Sequence, residues 1–476
     1  MPFISASQTF TLLWLVTMAT ASQDGGVLRA ASNHDVPVVV TVNIQKSLNT
    51  ITDHFIGHSL GDPTAVQLSR HFDSKKLQNL ARALAPLYVR FGGEGGTFHV
   101  ASSQHSLQLW EKMNNFFKLV GWDSYYILDP VSRNHDGSWD TSYTRQLLKA
   151  SADRNYHIAG FELGNEYDLY SSSRPITLSP EQLVHDVAEL QKLLNGYPLY
   201  SSSFIVGPDT AFVNPKYFHG FLAAGGNKYV RAATFHQYYF DGHHPQKSYF
   251  TDVNKMDSLA RMIDNAFNQT RSVDRHLPVW LGETGSASVG GVAGMTDRFM
   301  SGFLWLDKLG VCAAKGIGAV IRHVFYGDHD HYGIIDTNLD PNTDYWLTIL
   351  YKRIVRGAVF HASGRHDVRV YAACANRDNF KAGGLAVYML NPNNYPVTFD
   401  LPQFSNQPRF RYSLTAGDND GLTSKHMALN GVKLQLVNDN LPPLKPESAP
   451  RGMVTVPAYS YTFLVFPEAG VSICLH

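Results

Sequence analysis

The sequence predicts an α/β protein: a (β/α)8 TIM barrel with a C-terminal antiparallel β-sandwich domain. Between residues 51 and 355, short β-branched and aromatic runs alternate with longer amphipathic runs, the pattern of strands and helices in a parallel barrel. From residue 356 to 476 the hydrophobic period changes to two, and Asn-, Asp-, Gly- and Pro-rich turns separate the runs. A further strand within residues 36–50 is predicted to join the sandwich.

Eight strand candidates fall within the barrel region, and each ends in glycine or polar residues. They are HFIGHSL, PLYVRFGG, DSYYILDP, IAGFELGN, FIVGPDT, AATFHQYY, PVWLGE and AVIRHVFYG. Eight strands separated by helices are the number that a closed barrel of this type needs.

One helix is predicted in detail after the fourth strand. Ser179 is a good N-cap, Pro180 suits the first helical position, and Gln182 completes a capping box. An apolar stripe follows at spacings of four, three and four: Leu183, Val187, Leu190 and Leu194. Asn195-Gly196 ends the helix.

Composition and charge exclude some classes of function. Forty basic and forty acidic residues leave a formal net charge of zero, which disfavours a dedicated nucleic-acid binder. Residues 1–21 contain an apolar run ending in Ala19-Thr20-Ala21, typical of a cleaved signal peptide, with a membrane anchor as the weaker alternative. No later segment approaches about 20 apolar residues. We therefore expect a secreted protein without stable membrane insertion, with a lysosomal destination left open.

Three cysteines suit an exported chain with one disulfide and one remaining thiol. Cys374 and Cys474 lie in two strand-like stretches of the C-terminal region and are predicted to pair. Cys312 lies in an apolar helical stretch and is predicted to be a buried free thiol. Asn268 begins an Asn-Gln-Thr sequon and is a candidate glycosylation site.

Two glutamates stand at the ends of predicted strands four and seven, Glu166 in FELGNE and Glu283 in VWLGET. Reactive groups of such barrels come from the carboxyl ends of the strands. Two carboxylates that converge there are what glycoside hydrolysis needs, one as proton donor and the other as nucleophile or base. Either glutamate alone is better explained as a helix cap or an ion-pair partner; the pair favours catalysis.

Several stretches together resemble the heparanase family, glycoside hydrolase family 79, including its hyaluronan-cleaving branch. They are FELGNE, TFHQYYFDG, VWLGETGSA, GFLWLDKLG, DPNTDYWL and VPAYSYTFLVF, in the family's order from about residue 37 onward. The resemblance implies a retaining endo-β-glucuronidase with two catalytic glutamates, no cofactor and no metal. It also implies a glycosaminoglycan substrate, and we expect a monomer.

Carried over position by position, the resemblance assigns roles to the predicted site residues. Glu166 is the acid/base and Glu283 the nucleophile. Asn165 is expected to bond the sugar 2-hydroxyl, Tyr238 to orient Glu283, and His236 to line the cleft, although a structural role for His236 is equally favoured.

Further substrate-binding positions lie in loops. Tyr332 matches a tyrosine that helps to hold the glucuronate carboxylate, and Gly290 lies in the glycine-rich segment after the nucleophile. Thr97 or Glu94, in the glycine-rich FGGEGG region, matches a substrate-facing threonine. The run Asp328-His329-Asp330-His331 is better explained as a solvated loop than as a metal site.

The chain departs from the family pattern at four places. Tyr167 replaces the proline that usually follows the acid, and the chain is too short to contain the linker excised from vertebrate heparanase, so we expect a single unprocessed chain. TAFVNPKYFHG, with Lys216 as its one charge, replaces a basic cluster after the fifth strand. The segment after the nucleophile is altered to Ser288-Val289-Gly290-Gly291.

These departures bear on the substrate, because sulfate recognition normally relies on Arg and Lys. Heparan sulfate is ranked slightly ahead on overall likeness, and hyaluronan is the alternative. His243 and His244 are hypothesised to add positive charge to the cleft at acidic pH. An exo-acting β-glucuronidase and an inactive glycan-binding relative are the remaining alternatives.

Overall fold

The computed structural model covers most of the chain. The described residues are 36–92, 104–174, 176–327 and 331–475, and all but Val36 belong to one compact unit, Pro37–His476. Predictions that lie outside the described residues concern the signal peptide and Glu94, Thr97, Asp328, His329 and Asp330.

Eight parallel strands close into a barrel, as predicted. Two strands precede it, β1 (Val38–Val39) and β2 (Thr41–Ile51). The barrel strands are β3 (Ile56–Leu60), β4 (Leu87–Phe91), β5 (Trp122–Leu128), β6 (Gly160–Leu163), β7 (Phe204–Thr210), β8 (Ala232–Gln237), β9 (Val279–Thr284) and β10 (Val320–Arg322). Each lies, to within one residue, inside one of the eight predicted stretches, and β10 pairs with β3 to close the ring.

Helices connect the barrel strands and cover the outside of the barrel. They are α1 (Asp62–Leu68), α2 (Lys75–Leu84), α3 (Gln104–Val120), α4 (Ser142–Ala152), α5 (Tyr170–Ser173), α6 (Pro180–Asn195), α7 (Gly220–Ala223), α8 (Val253–Arg271), α9 (Ser301–Lys315) and α10 (Thr343–Ile354). None of the described helices is long and apolar enough to cross a bilayer.

Helix α6 begins and ends where the sequence predicts, and its four stripe residues are buried. Ser179 Oγ accepts the backbone N–H of Gln182 at 3.1 Å, which is half of the predicted capping box. The second hydrogen bond of the predicted box is wrong. Instead of turning back to the Ser179 backbone, the Gln182 side chain donates to Asp186 Oδ1, one turn further along the helix, at 3.0 Å. A carboxylate one turn ahead accepts a stronger hydrogen bond than water does, and it draws the amide away from the N-cap.

Aromatic side chains fill the barrel interior toward the amino-terminal ends of the strands. The Tyr88 and Phe204 rings lie 5.5 and 5.6 Å from the Trp280 ring, centroid to centroid. Gly160 makes room for this layer, because a Cβ there would collide with the Phe204 ring. Because aromatic side chains fill this end of the barrel, the polar side chains of the strands lie at the carboxyl end.

Antiparallel sheets follow the barrel and fit the predicted C-terminal β-sandwich. Their strands are β11 (Val355–Ser363), β12 (Arg369–Ala375), β13 (Leu385–Asn391), β14 (Val397–Asp400), β15 (Arg409–Ala416), β16 (Met427–Leu429), β17 (Val432–Lys433), β18 (Glu447–Ala449), β19 (Val454–Val456) and β20 (Ser460–Phe466). A nine-stranded sheet has the order β17-β16-β15-β20-β13-β12-β11-β2, with β18 paired to β15, and a three-stranded sheet has the order β1-β14-β19. The segment before the barrel therefore supplies a strand to each sheet.

Helix α9 packs on the nine-stranded sheet at two glycines. A Cβ at Gly302 would collide with Leu347 and Tyr461, and one at Gly310 would collide with the Tyr371 ring. The absence of side chains at these positions lets the helix approach the sheet closely. This contact joins the barrel to the sheet.

The three cysteines are placed as follows. Cys374 and Cys474 form a disulfide with the sulfur atoms 1.93 Å apart. Cys312 is a buried thiol on α9, and burial raises its pKa to about 12. Asn268 is exposed near the end of α8. Its glycosylation stays a prediction.

Candidate active site

A cavity of about 1020 Å³ lies where the carboxyl ends of the barrel strands meet. Its walls include Glu166, which follows β6, and Glu283, which belongs to β9. Five other predicted site residues also line it: Asn165, His236, Tyr238, Gly290 and Tyr332. The fold therefore brings together side chains that are separated by up to 167 positions in the sequence (332 − 165).

The two glutamates face each other across a short gap. One carboxylate oxygen of Glu166 and one of Glu283 lie within 4.8 Å of each other. The side chains of Glu166 and Glu283 are 22% and 14% exposed, so a ligand in the cavity can reach both. The arrangement can therefore donate a proton and attack a carbon on the same small substrate group.

Arg90, on β4, donates hydrogen bonds to four other side chains of the site, and the sequence analysis did not identify it. Its Nη1 donates to Glu283 Oε2 at 2.7 Å, and its Nε and Nη2 donate to the two oxygens of Glu162 at 3.2 and 2.7 Å. Nη2 also donates to Asn165 Oδ1 at 2.7 Å and to Asp209 Oδ2 at 2.5 Å. The planar guanidinium thus fixes Glu283 and Asn165 relative to each other.

The surroundings of Glu283 keep it ionised. Burial alone would raise the pKa of Glu283, but the charges of His323, His236 and Arg90 and the hydrogen bond from Tyr238 outweigh burial and lower it to about 2. The Tyr238 hydroxyl donates to Glu283 Oε1 at 2.6 Å, as predicted for an orienting residue. An ionised, oriented carboxylate is what a nucleophile at an anomeric carbon must be.

His236 connects the other glutamate to the same network. Its Nδ1 lies 2.7 Å from Glu166 Oε1 and its Nε2 lies 2.7 Å from Asp209 Oδ2. Burial alone would lower the pKa of His236, but the charges of Asp209 and Glu283 outweigh it and raise the pKa well above its usual value. The Nδ1–Oε1 hydrogen bond holds one proton, and the general-acid role requires that proton on Glu166 when the leaving group departs.

The buried cluster packs carboxylates around cationic side chains. Three carboxylates, Glu162, Asp209 and Glu283, face two cationic side chains, Arg90 and His236. Burial raises the pKa of Glu162 well above its usual value. Burial alone would also raise the pKa of Asp209, but Arg90 and His236 lower it. Within this cluster the surroundings therefore favour the ionised forms of Asp209 and Glu283 and disfavour that of Glu162.

Glu166 adopts an unusual backbone conformation. Its φ and ψ are 52° and 48°, in the left-handed region, which costs a non-glycine residue about 1–2 kcal/mol. Its N–H donates to Asp209 O at 2.9 Å, and the following Tyr167 is buried with its hydroxyl donating to Tyr217 O at 2.7 Å. The tyrosine that replaces the family proline thus anchors the loop behind the acid.

Asn165 and the loop residues line the remaining walls. Arg90 occupies the Asn165 oxygen, so the Asn165 side-chain NH2 remains as the donor for a sugar hydroxyl. The Tyr332 ring lies 5.1 Å from the His323 ring and 6.3 Å from the Tyr238 ring. Gly290 has a φ of 81°, which favours glycine.

The structure does not support the hypothesis that His243 and His244 add charge to the cleft. Among the described residues that line the cavity, Asp241 is present and the two histidines are not. The exposed His243 ring bonds Asp241 Oδ1 at 3.0 Å. Sequence proximity to β8 gave no information about the direction in which the loop turns.

Glu166, His236 and Glu283 also lie close enough to hold a metal ion. Both nitrogens of His236 are already hydrogen-bonded, to Glu166 and Asp209, so neither is free to bind a metal. The Arg90 guanidinium brings a positive charge to Glu283. The donor set fits proton transfer better than metal binding.

The site residues that the sequence analysis did not identify could have been recognised from their sequence context. Arg90 is a charge in the middle of the apolar run LYVRF, and Glu162 precedes the recognised acid by four positions in FELGNE. Asp209 ends the strand FIVGPDT, and His323 lies in IRHVF. A charged side chain within a buried strand needs a partner, so Arg90 predicts acidic residues on neighbouring strands.

Replacing Tyr238 with phenylalanine is expected to lower kcat about tenfold or more, with a smaller change in KM. The hydrogen bond to a charged carboxylate is lost, and such a bond contributes about 1.5–3 kcal/mol. Steady-state kinetics at several pH values check this. Tyr200→Phe is the control, because the Tyr200 hydroxyl donates to Tyr156 O at 2.9 Å, among residues that do not line the cavity. Equal kinetic effects of the two variants would contradict the orienting role of Tyr238.

Replacing Arg90 with methionine is expected to lower the free energy of unfolding by about 3 kcal/mol or more, because buried carboxylates lose their partner. Urea denaturation followed by tryptophan fluorescence measures this. Arg154→Met is the control, because Arg154 is exposed and donates to the backbone of Ala150. An Arg90 variant as stable as the Arg154 variant would show that Arg90 does not hold the cluster together.

Comparison with known proteins gives the family. The model of the glycosyl hydrolase family 79 N-terminal domain matches residues 90–310. The chain is 30% identical to heparanase of Bos taurus over 471 residues, covering 84% of this chain and 86% of that protein. It is 33% identical to hyaluronoglucuronidase of Hirudo nipponia over 356 residues, covering 72% and 71%. The chain belongs to glycosyl hydrolase family 79.

Membership of family 79 makes the protein a glycoside hydrolase and confirms the resemblance found in the sequence. A solved structure of a 4-O-α-L-rhamnosyl-β-D-glucuronidase from Fusarium oxysporum 12S superposes with a TM-score of 0.64 at 17% identity, covering 88% of this chain and 97% of that one. At this identity the likeness supports the fold alone, and it confirms the predicted barrel class.

Proposed function

We propose that this family 79 hydrolase is a retaining endo-β-glucuronidase that cleaves a glycosaminoglycan. The observation that carries the proposal is the approach of Glu166 and Glu283, whose oxygens lie within 4.8 Å. Retaining enzymes place their two carboxyl groups about 5–5.5 Å apart, whereas inverting enzymes leave about 6.5–9.5 Å for a water molecule. The short separation supports direct attack by a carboxylate.

Each glutamate has surroundings that suit one role. Glu283 is held ionised and oriented by Arg90 and Tyr238, so it attacks the anomeric carbon and forms a glycosyl ester. Glu166 shares a proton with His236 and gives it to the leaving glycosidic oxygen. In the second half-reaction Glu166 takes a proton from water, and that water hydrolyses the ester with net retention.

Asn165 supports the same transition state. Its oxygen is fixed by Arg90 beside the nucleophile, so its amide nitrogen can donate to the sugar 2-hydroxyl. Hydrogen bonds to this hydroxyl strengthen as the oxocarbenium character develops. A β-glucuronoside placed over Glu283 brings that hydroxyl next to Asn165.

The size of the cavity supports an endo-acting enzyme. Its volume of about 1020 Å³ is at the upper end of the range for sites that take drug-sized ligands, so it accommodates more than one sugar unit. The names of the two relatives, heparanase and hyaluronoglucuronidase, both point to a glycosaminoglycan. The apolar run within residues 1–21 supports secretion of the protein into the extracellular space, where such polymers occur.

Product analysis tests the proposal. The protein is incubated separately with heparan sulfate and with hyaluronan at mildly acidic pH, and the new reducing ends are identified by mass spectrometry. Shortened chains that end in glucuronate are the expected result, and the Glu283→Gln protein should produce none. If the unmutated protein cuts neither polymer, or leaves hexosamine at the new ends, the proposed activity is wrong.

A further inference from the structure

Phe212, in the loop after β7, is an exposed aromatic side chain at the cavity wall. Its side chain is 58% exposed, and it lines the same cavity as the two glutamates. Among the described residues, the other exposed large hydrophobic side chains are aliphatic. An aromatic ring left in water at the edge of a binding cavity is more informative than scattered exposed aliphatic residues elsewhere on the surface.

Hydrogen bonds hold the Phe212 loop beside the catalytic acid. The Asp168 carboxylate accepts the backbone N–H of Ala211 at 2.9 Å and of Phe212 at 3.3 Å. Three residues before Phe212, within β7, Asp209 O accepts the N–H of Glu166 at 2.9 Å. These bonds tie the segment that follows the acid to the segment that carries the phenylalanine. Phe212 therefore lies on the acid side of the cavity, where the leaving sugar must sit.

The wall on this side is apolar. Leu169, Ala211, Phe212 and Met262 line it. A pyranose ring presents C–H groups on its faces, and an aromatic ring buries them by stacking while the hydroxyl groups stay in water. Such a wall fits a sugar face better than a charged group.

Among the described residues that line this wall, no lysine or arginine is free to bind a sulfate group. Among the described residues that line the cavity, Arg90 is the one lysine or arginine, and all three of its nitrogens are bonded to acceptors of the buried cluster. Lys216, four residues after Phe212, lies outside the cavity lining with its ammonium 4.6 Å from the centre of the Tyr217 ring. Asp241 adds a negative charge to the lining.

We propose that Phe212 is the stacking platform for the sugar on the leaving-group side of the scissile bond, and that it selects an unsulfated sugar there. The inference rests on the proposed endo-glucuronidase activity and names the substrate class of that same site. A sulfate on the leaving sugar would lose water against Phe212 and Met262 without gaining a cation, which disfavours binding. A glycosaminoglycan with unsulfated hexosamines is therefore the better substrate.

Two substrates that differ only in sulfation test this. Heparan sulfate and the same polymer after chemical desulfation and N-acetylation share one backbone, so their ratio of kcat/KM isolates the sulfate effect. We expect the unmutated protein to prefer the desulfated polymer. Phe212→Ala should lower kcat/KM on that polymer about tenfold, mainly through KM, because the stacking contact with the sugar is lost. Phe212→Lys should shift the ratio about tenfold or more towards the sulfated polymer.

Controls separate this inference from the proposed function. Leu119→Ala removes an exposed large hydrophobic side chain that does not line the cavity, and it should change neither rate. Binding of a desulfated hexasaccharide, measured by calorimetry, should weaken about tenfold in Phe212→Ala. An active protein whose Phe212 variants keep the original ratio and affinity overturns the role of Phe212 alone. A protein that cuts neither polymer overturns the activity, and the calorimetric comparison still decides whether Phe212 binds sugar.

Discussion

Replacing Glu283 with glutamine is expected to lower kcat/KM on the order of 10⁴-fold or more, because the amide cannot form the glycosyl ester. The exchange keeps the shape of the side chain, so substrate binding should change little. The effect belongs to the chemical step: the unmutated carboxylate has a pKa of about 2 and is ionised at every pH at which the protein is assayed.

The measurement is the initial rate of reducing-end formation, with sugar binding followed separately by calorimetry. Glu181→Gln, a change at an exposed glutamate at the start of α6, should be fully active and controls for handling. A Glu283→Gln protein that retains more than about a hundredth of the activity would contradict the assignment of the nucleophile, because nucleophile removal leaves far less.

Replacing Glu166 with glutamine is expected to lower kcat by about 10²–10⁴-fold on natural polymers, the range for loss of a general acid. The deficit should be much smaller on an aryl glucuronide with a weakly basic phenolate leaving group, since such a group departs without a proton. Glu283→Gln should lose activity on both substrates alike.

The rates of Glu166→Gln and Glu283→Gln on the polymer and on the aryl glucuronide distinguish the acid from the nucleophile. Equal losses on the polymer and on the aryl glucuronide in Glu166→Gln would mean that Glu166 does not donate the proton. A small anion such as azide should partly restore turnover of the aryl glucuronide by Glu166→Ala, because it needs no base to attack the ester. Failure of both effects would assign the acid role to another group.

The barrel could be predicted because its signals are local. Each strand is a short β-branched or aromatic run with a polar or glycine end, and the α6 boundaries follow from Ser179, Pro180 and Gly196. Glu166 and Glu283 were found for the same reason, since each stands at a strand end where barrel chemistry occurs. The predicted disulfide forms, but the predicted strand at Cys474 is wrong: Cys374 lies in β12, whereas Cys474 lies in a short 3-10 turn, Ser472–Leu475.

The features that the sequence did not predict depend on contacts between residues that are far apart in the sequence. Arg90 was treated as part of an apolar strand, and its role appears only when β4, β6, β7 and β9 converge on one side of the barrel. The sequence leaves His236 balanced between a structural and a functional role, and its two hydrogen bonds place it between Glu166 and the buried Asp209. The Gln182 side chain failed to complete its capping box because Asp186 competed for its amide.

The stereochemistry of hydrolysis tests the central claim most directly. Proton NMR of a digest in its first minutes, before mutarotation equilibrates the ends, identifies the anomer of each new reducing sugar. A pair of carboxylates within 4.8 Å predicts that the β-anomer of glucuronate forms first and that the α-anomer grows in later. Glucuronate ends that form first as the α-anomer would contradict nucleophilic attack by Glu283 and would require an inverting mechanism.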